Sequence, residues 1–189
     1  FGESTAVLAG NSLLTLAFEI LTNKNLKISD NKKILIVQYI SNCSGHEGVA
    51  GGQYSDLNFE NKKISLSKIK DMQVKKTGRL FSFCCIVPLI VVNKKNLIKK
   101  FMKIGEDVGL LFQIADDLID YYGNSKIVGK KTKKDAAKGK ATLISLLGYK
   151  NTIKYSKRLK LNIFNELSKY QKRSNDLKQT IEFILNRTN

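Results

Sequence analysis

The stretch that decides the fold is VGLLFQIADDLIDYY, residues 108–122. Its apolar residues recur at intervals of three and four, which is the spacing of one face of an α-helix. They are Val108, Leu111, Phe112, Ala115, Ile119 and Tyr122. Polar and small residues share another side, at Gly109, Gln113, Asp116 and Asp120. The sequence therefore predicts an amphipathic helix with a chemically distinct polar side.

Three carboxylates crowd the end of this helix. Asp116, Asp117 and Asp120 occupy an arc of roughly 100°, because successive helical residues turn by about 100°. The helix dipole disfavours negative charge there, and neighbouring like charges repel by a few tenths of a kcal/mol each. The arrangement indicates a bound cation, and oxygen-only ligands suit Mg²⁺ that is shared with a substrate phosphate. A solvated acidic surface is the alternative interpretation.

A strongly basic segment follows the carboxylates at once. Residues 123–140 contain seven lysines, one acid and three glycines. A diphosphate site needs such a sequence, because lysines hold the leaving-group oxygens and glycines let a loop fold over a ligand. Solvated loop charge and a nucleic-acid patch are the alternatives.

Composition limits the class of partner. The 189 residues are 42% hydrophobic and carry 33 Lys and Arg against 16 Asp and Glu, a net charge of +17. An anionic partner must therefore be considered, although codon bias could produce the same lysine excess. Only four cations are Arg, the side chain that best reads bases, so we expect no nucleic acid.

Other sequence features bear on the cellular location of the protein and on its length. The longest candidate apolar stretch, residues 81–92, contains Pro88 and is shorter than the roughly 18 residues that span a bilayer, so we expect no membrane span. Three cysteines do not make a disulfide framework, which favours the cytoplasm. The chain opens at Phe1 and enters a helical pattern at once, so we expect a piece of a longer protein.

The periodicity predicts a single all-α domain over residues 1–189. We expect Asp30 and Ser65 to be N-caps, the glycine-rich residues 45–58 to form a tightly packed helix, and the helix after Ser65 to kink at Pro88. The predicted helices cover residues 7–21, 30–45, 45–58, 65–92, 94–122, 142–147, 153–170 and 176–185.

Taken in order, the motifs resemble those of trans-prenyltransferases of the farnesyl and geranylgeranyl diphosphate synthase type. They are Gly2-Glu3-Ser4-Thr5-Ala6, Gly51-Gly52-Gln53, Lys76-Thr77-Gly78, Phe112-Gln113-Ile114-Ala115-Asp116-Asp117-Leu118-Ile119-Asp120, Gly129-Lys130 and Gly139-Lys140-Ala141-Thr142. The resemblance covers nearly the whole chain. It implies the isoprenoid synthase fold, an antiparallel helical bundle around a central cavity, usually in a homodimer.

The resemblance also implies an activity and a set of site residues. The reaction is Mg²⁺-dependent condensation of isopentenyl diphosphate with an allylic diphosphate, and a farnesyl-type product is favoured. Asp116, Asp117 and Asp120 become the second aspartate-rich metal motif, with Asp116 as the direct ligand. The remaining roles are diphosphate binding for Lys76, Lys130 and Lys140, carbocation stabilisation for Thr77 and Gln113, and pocket lining for Gln53, Asp56 and Phe112.

The chain departs from the family pattern in ways that leave alternatives. Asn11 replaces the usual Asp, and Lys133 replaces a usual Gly. The first aspartate-rich motif, its arginine pair and the homoallylic-substrate site are expected upstream of Phe1, so this fragment by itself is predicted to be inactive. A truncated non-catalytic relative or partner subunit is the second hypothesis, and a basic helical nucleic-acid-binding domain is the third.

Overall fold

The computed structural model describes residues 1–122 and 141–186, which fold into helices and contain no strand. The α-helices in these ranges are α1 Glu3–Thr22, α2 Asp30–Ser44, α3 Val49–Asn58, α4 Leu66–Gln73, α5 Arg79–Val91, α6 Ile98–Tyr122, α7 Leu143–Leu147, α8 Tyr149–Ser168 and α9 Asn175–Asn186. A π-helical turn, Val74–Gly78, joins α4 to α5, and short 3₁₀ turns at Lys95–Leu97 and Gln171–Ser174 precede α6 and α9. The all-α prediction is confirmed.

Helix α6 is the centre of the larger core. Val108, Leu111 and Ala115 of its apolar stripe are buried against side chains from α4, α8 and α9, and α5 packs along its first half. The buried residues of this core include Ile69, Met72, Val108, Leu111, Ile114, Leu159, Ile163, Leu167 and Ile181. A second, smaller core lies between α2 and α5 around Ile36, Ile86 and Ile90. The predicted helix that ends at Tyr122 therefore organises the bundle, as its pattern indicated.

Helices α5 and α6 touch at the level of their backbones. A Cβ atom on Gly105 would lie 2.5 Å from the Cα atom of Ser82, a distance that real Cβ contacts do not reach. The Ser82 hydroxyl donates a hydrogen bond to the Met102 carbonyl across the same crossing. One turn away, Arg79 and Glu106 form an ion pair of 2.7 Å. Glycine at position 105 is thus required for this close approach.

The structure corrects three local predictions. Ser29, not Asp30, precedes the first turn of α2, and Asp30 is its first residue, where negative charge suits the helix dipole. The glycine-rich stretch is not one helix, because Gly45 ends α2 and α3 begins only at Val49. The helix capped by Ser65 does start there, but a π-helical turn at Val74–Gly78 interrupts it, and α5 then continues past Pro88 to Val91. The kink at Pro88 stays a prediction.

Helix α1 is more apolar than the sequence test suggested. An 18-residue window of this 20-residue helix has a mean hydropathy of 1.4, so the helix is long and apolar enough to cross a membrane by length and composition, and none of its residues is buried. Polar residues such as Asn11 and Ser12 lie within this helix, so it does not stand out in the sequence as an apolar stretch. Among the residues that the structure describes, the helix that meets the length and composition of a membrane span is therefore α1 and not residues 81–92.

The contact at Gly105 can be tested in the full-length protein. Gly105→Ala should lower the free energy of unfolding by about 1–3 kcal/mol, because the added methyl group forces α5 and α6 apart. Ser67→Ala, on the exposed side of α4, is the control and should change it by no more than about 0.5 kcal/mol. Urea denaturation measures both, and an unchanged Gly105→Ala midpoint would contradict the close packing.

Candidate functional site

A small cavity lies where α3, α4, the π-helical turn and α6 meet, close to the start of α7. Most of its lining is polar, which is unusual for the inside of a helical bundle. The lining residues are Asp56, Met72, Gln73, Lys76, Gln113, Asp117, Ala141 and Thr142. It is therefore a candidate site for a charged or polar ligand.

The π-helical turn brings the Lys-Thr-Gly motif to this cavity. A Cβ atom on Gly52 of α3 would collide with the backbone nitrogen of Lys76. On the other side, a Cβ atom on Gly109 of α6 would lie 2.5 Å from the Cα atom of Gly78. The turn is thus held between two helices at backbone contact, and single π-helical turns of this kind occur often at functional sites.

Lys76 is paired with a buried acid at the cavity. Its Nζ atom lies 2.6 Å from Oδ2 of Asp56, which is buried on α3. A buried carboxylate needs such a partner, because its charge is otherwise poorly solvated. The contact joins residues from separate helices, so no helical spacing in the sequence could reveal it. It fixes the position of the Lys76 ammonium group at the cavity.

A chain of hydrogen bonds runs from the π-helical turn to two residues of α6 that line the cavity. The Thr77 hydroxyl donates to Oε1 of Gln113 at 3.2 Å. The Gln113 amide nitrogen in turn donates to Oδ1 of Asp117 at 2.9 Å. The two residues predicted to stabilise a carbocation therefore contact each other directly.

Of the three predicted metal ligands, Asp117 and Asp120 are buried and Asp116 is half-buried. Asp117 accepts hydrogen bonds from amide groups on both of its oxygens. Within residues 1–122 and 141–186, no three acidic, histidine or cysteine side chains are grouped so that they could enclose a metal ion. The metal assignment of Asp116, Asp117 and Asp120 stays a prediction.

The other predicted site residues divide into two groups. Phe112 is half-buried and packs on Phe81, with ring centroids 5.4 Å apart. Gln53 is exposed on α3 and is not among the residues that line the cavity. Lys130 and Lys140 lie outside the described residues, as does the whole basic segment 123–140.

Sequence reasoning missed Gln73. It follows Ile69 by four residues, so it lies on the buried side of α4, and it donates a hydrogen bond to Oδ2 of Asp117 at 3.4 Å. A polar residue at an apolar position of a helix was the available signal, because buried amides are retained only where they have partners or a use.

Comparisons with known proteins identify the family of this chain. A polyprenyl synthetase family model matches residues 1–184. The farnesyl diphosphate synthase of Bacillus subtilis is 34% identical over 168 residues, which are 84% of this chain and 57% of that protein. The farnesyl diphosphate synthase of Micrococcus luteus is 32% identical over 188 residues, covering 99% of this chain and 64% of the relative. The chain thus spans less than two thirds of the length of these relatives.

Solved structures share the fold. A Helicobacter pylori geranyltransferase, complexed with magnesium and isoprenyl diphosphate, superposes with a TM-score of 0.81 at 29% identity, covering 98% of this chain and 61% of its own. An FPP/GFPP synthase from Zymomonas mobilis gives a TM-score of 0.80 at 31% identity, with 97% and 62% covered. The predicted isoprenoid synthase-type bundle is confirmed. Because the family match takes in both the helices and the motif residues of the cavity, the chain belongs to the polyprenyl synthetase family.

Proposed function

We propose that the protein is a Mg²⁺-dependent prenyltransferase that condenses isopentenyl diphosphate with an allylic diphosphate. The observation that carries this proposal is the meeting of a cation and a neutral amide at a single cavity, with a hydroxyl bonded to that amide. Lys76 supplies the cation, Gln113 supplies the amide, and Thr77 donates its hydroxyl hydrogen bond to Gln113. Such a site can hold an anionic leaving group on one side and face a carbocation on the other.

The reaction separates charge. The bond between the allylic carbon and the diphosphate oxygen breaks, and its electron pair leaves with the diphosphate. The double bond of isopentenyl diphosphate then donates an electron pair to the allylic cation, and the resulting cation loses a proton to regenerate a double bond. The products are a longer prenyl diphosphate, inorganic pyrophosphate and a proton, so charge and atoms balance.

Lys76 is positioned for the leaving group. Its ammonium group carries three donors, and one points at Asp56 in the structure. The others are available to diphosphate oxygens, which would hold the leaving group as its negative charge increases. Asp56 keeps the ammonium group at the cavity before substrate arrives.

The oxygens of Thr77 and Gln113 suit the other half of the charge separation. Dipoles that are already oriented stabilise a developing charge without a reorganisation cost. Neither group is anionic, so neither would trap the cation by forming a covalent bond as readily as a carboxylate would. Gln113 donates from its nitrogen to Asp117, which leaves the carbonyl end of the amide toward Thr77.

We assign Mg²⁺ to the acidic end of α6 on the chemistry of its donors. Asp116 and Asp120 stand one helical turn apart and offer only oxygen ligands, which Mg²⁺ prefers. Asp117 has amide donors on both oxygens, so we do not assign it to the ion. When bound, Mg²⁺ supplies positive charge to the diphosphate oxygens. A farnesyl-type product is part of the proposal, supported by the names of the two bacterial relatives described above.

The proposal predicts that the full-length protein makes prenyl diphosphates from isopentenyl and geranyl diphosphate when Mg²⁺ is present. Asp116→Asn should lower kcat by about 10²–10³-fold, because a group that stabilises transition-state charge is lost. Asp107→Asn is the matched control on α6: its carboxylate pairs with Lys103 at 2.8 Å and does not line the cavity. Product chain length is read by chromatography. A folded full-length protein that forms no product would support the non-catalytic alternative, and full activity of Asp116→Asn would contradict the metal assignment.

We also propose that α1 packs against a second copy of the chain in a homodimer. All of its residues are at least partly exposed, including Val7, Leu8, Leu13, Leu16 and Ile20. Several large exposed apolar side chains on one helix indicate an interaction site.

The homodimer proposal predicts a molar mass of twice the chain mass for the full-length protein in light scattering. Leu13→Asp should shift the equilibrium toward the monomer, because it places a charge in the apolar contact. Leu161→Asp on α8 is the control, since that leucine has a similar exposure of 60% against 67% for Leu13. A monomeric wild-type protein, or one that sediments with lipid vesicles, would contradict this proposal.

A further inference from the structure

Gln73 is a buried polar residue that lines the cavity and has no role so far in the proposed reaction. It is 3% exposed and belongs to the face of α4 that carries Ile69 and Met72 into the core. An apolar side chain of the same length would suit that face better, because burying an amide has a free-energy cost unless its groups are paired. The position therefore needs an explanation from the contacts of the amide.

The amide of Gln73 fixes one side of Asp117. Its nitrogen donates to Oδ2 of Asp117, and the Gln113 nitrogen donates to Oδ1 of the same carboxylate. Asp117 is thus held between an amide from α4 and an amide from α6. If the Gln73 amide were turned by 180°, its carbonyl oxygen would face a carboxylate oxygen, and two acceptors would meet. Asp117 therefore determines that the nitrogen of the amide, and not its oxygen, faces the carboxylate.

Asp117 in turn orients Gln113. Since the Gln113 nitrogen is bound to the carboxylate, the carbonyl oxygen is directed away from it and accepts a hydrogen bond from Thr77. A hydrogen bond from the nitrogen to an anion also polarises an amide, which makes its carbonyl oxygen more negative. Both effects improve Gln113 as a partner for a cation.

The carbonyl oxygen of the Gln73 side chain supports a functional role for this residue. Its Oε1 atom is buried and has no hydrogen-bond donor among the residues that the structure describes. An unpaired buried acceptor destabilises the fold, so the amide at this position is not explained by stability. Its donor end is the part that makes a described contact, and that contact is with Asp117.

We infer that Gln73 is a positioning residue of the prenyl-transfer site, which with Asp117 orients the Gln113 carbonyl toward the allylic cation. This inference rests on the proposed function. It assigns Asp117 to the orientation of an amide and leaves Asp116 and Asp120 to the metal.

The first test is Gln73→Met in the full-length enzyme, since methionine keeps the length and loses the amide. We expect kcat to fall about 10- to 100-fold, the range for residues that position a functional group. The KM values for both diphosphates and the Mg²⁺ concentration for half activation should stay within about twofold, because Gln73 would act only on the transition state. An unchanged kcat, or a loss confined to KM or to Mg²⁺ activation, would overturn the inference.

The second test is Gln73→Asn, which keeps the amide but shortens the side chain by one methylene group. Its nitrogen no longer reaches Oδ2 of Asp117, so kcat should fall as in Gln73→Met while the KM values stay within about twofold. A wild-type kcat for Gln73→Asn would overturn the inference even if Gln73→Met did not fold.

Controls separate this inference from the proposed function. Ser156→Ala removes a buried hydroxyl of α8 that bonds within its own helix, and it should leave kcat unchanged. In the metal-free protein, the double variant Gln73→Met/Asp117→Asn should shift the thermal midpoint by less than the sum of the two single-variant shifts, because both changes disrupt one contact. An inactive wild-type enzyme would refute the proposed function, whereas an active enzyme with additive midpoint shifts would refute only the role of Gln73.

Discussion

The site depends on the backbone contact that holds the π-helical turn between α3 and α6. Gly52 and Gly109 are the two positions at which a side chain would collide with that turn. Because both helices approach so closely, Lys76 reaches Asp56 on one side and Thr77 reaches Gln113 on the other. A larger separation would break both contacts together, since hydrogen bonds weaken steeply with distance and misalignment. The chemistry of the cavity is therefore a consequence of packing that lies outside the cavity.

The same packing explains how buried carboxylates are accommodated in a strongly basic chain. The net charge of +17 favours anionic ligands at long range. Inside the bundle the balance is local, because Asp56 lies against one lysine and Asp117 accepts hydrogen bonds from two amides. These contacts differ in charge. Lys76 is a cation that an anionic ligand can share with Asp56, whereas the amides of Gln73 and Gln113 are neutral donors.

The helical class, the dominant helix α6 and the N-cap at Ser65 followed from local patterns, because each depends on residues within a few positions of one another. The motifs also placed Lys76, Thr77, Gln113 and Asp117 at one site, and the structure brings these four together. The π-helical turn was not predictable, since its cause is the close approach of helices distant in sequence. The pairing of Lys76 with Asp56 and the role of Gln73 were hidden for the same reason: both are contacts between separate helices. The helix α1 was predicted over residues 7–21, but its exposed apolar side chains were not, because polar residues are interspersed among them and exposure depends on the fold.

The most direct test asks whether the packing of the π-helical turn acts through Lys76. The binding of inorganic pyrophosphate in the presence of Mg²⁺ should be measured by calorimetry for full-length wild type, Gly52→Ala, Lys76→Gln and the double variant. A charge-assisted hydrogen bond contributes about 1.5–3 kcal/mol, so each single change should weaken binding by about tenfold or more. The account predicts that the double variant binds about as weakly as Lys76→Gln alone, because the glycine matters only by placing that lysine. Losses that add in full would contradict it, since Gly52 would then affect pyrophosphate by a route that does not pass through Lys76.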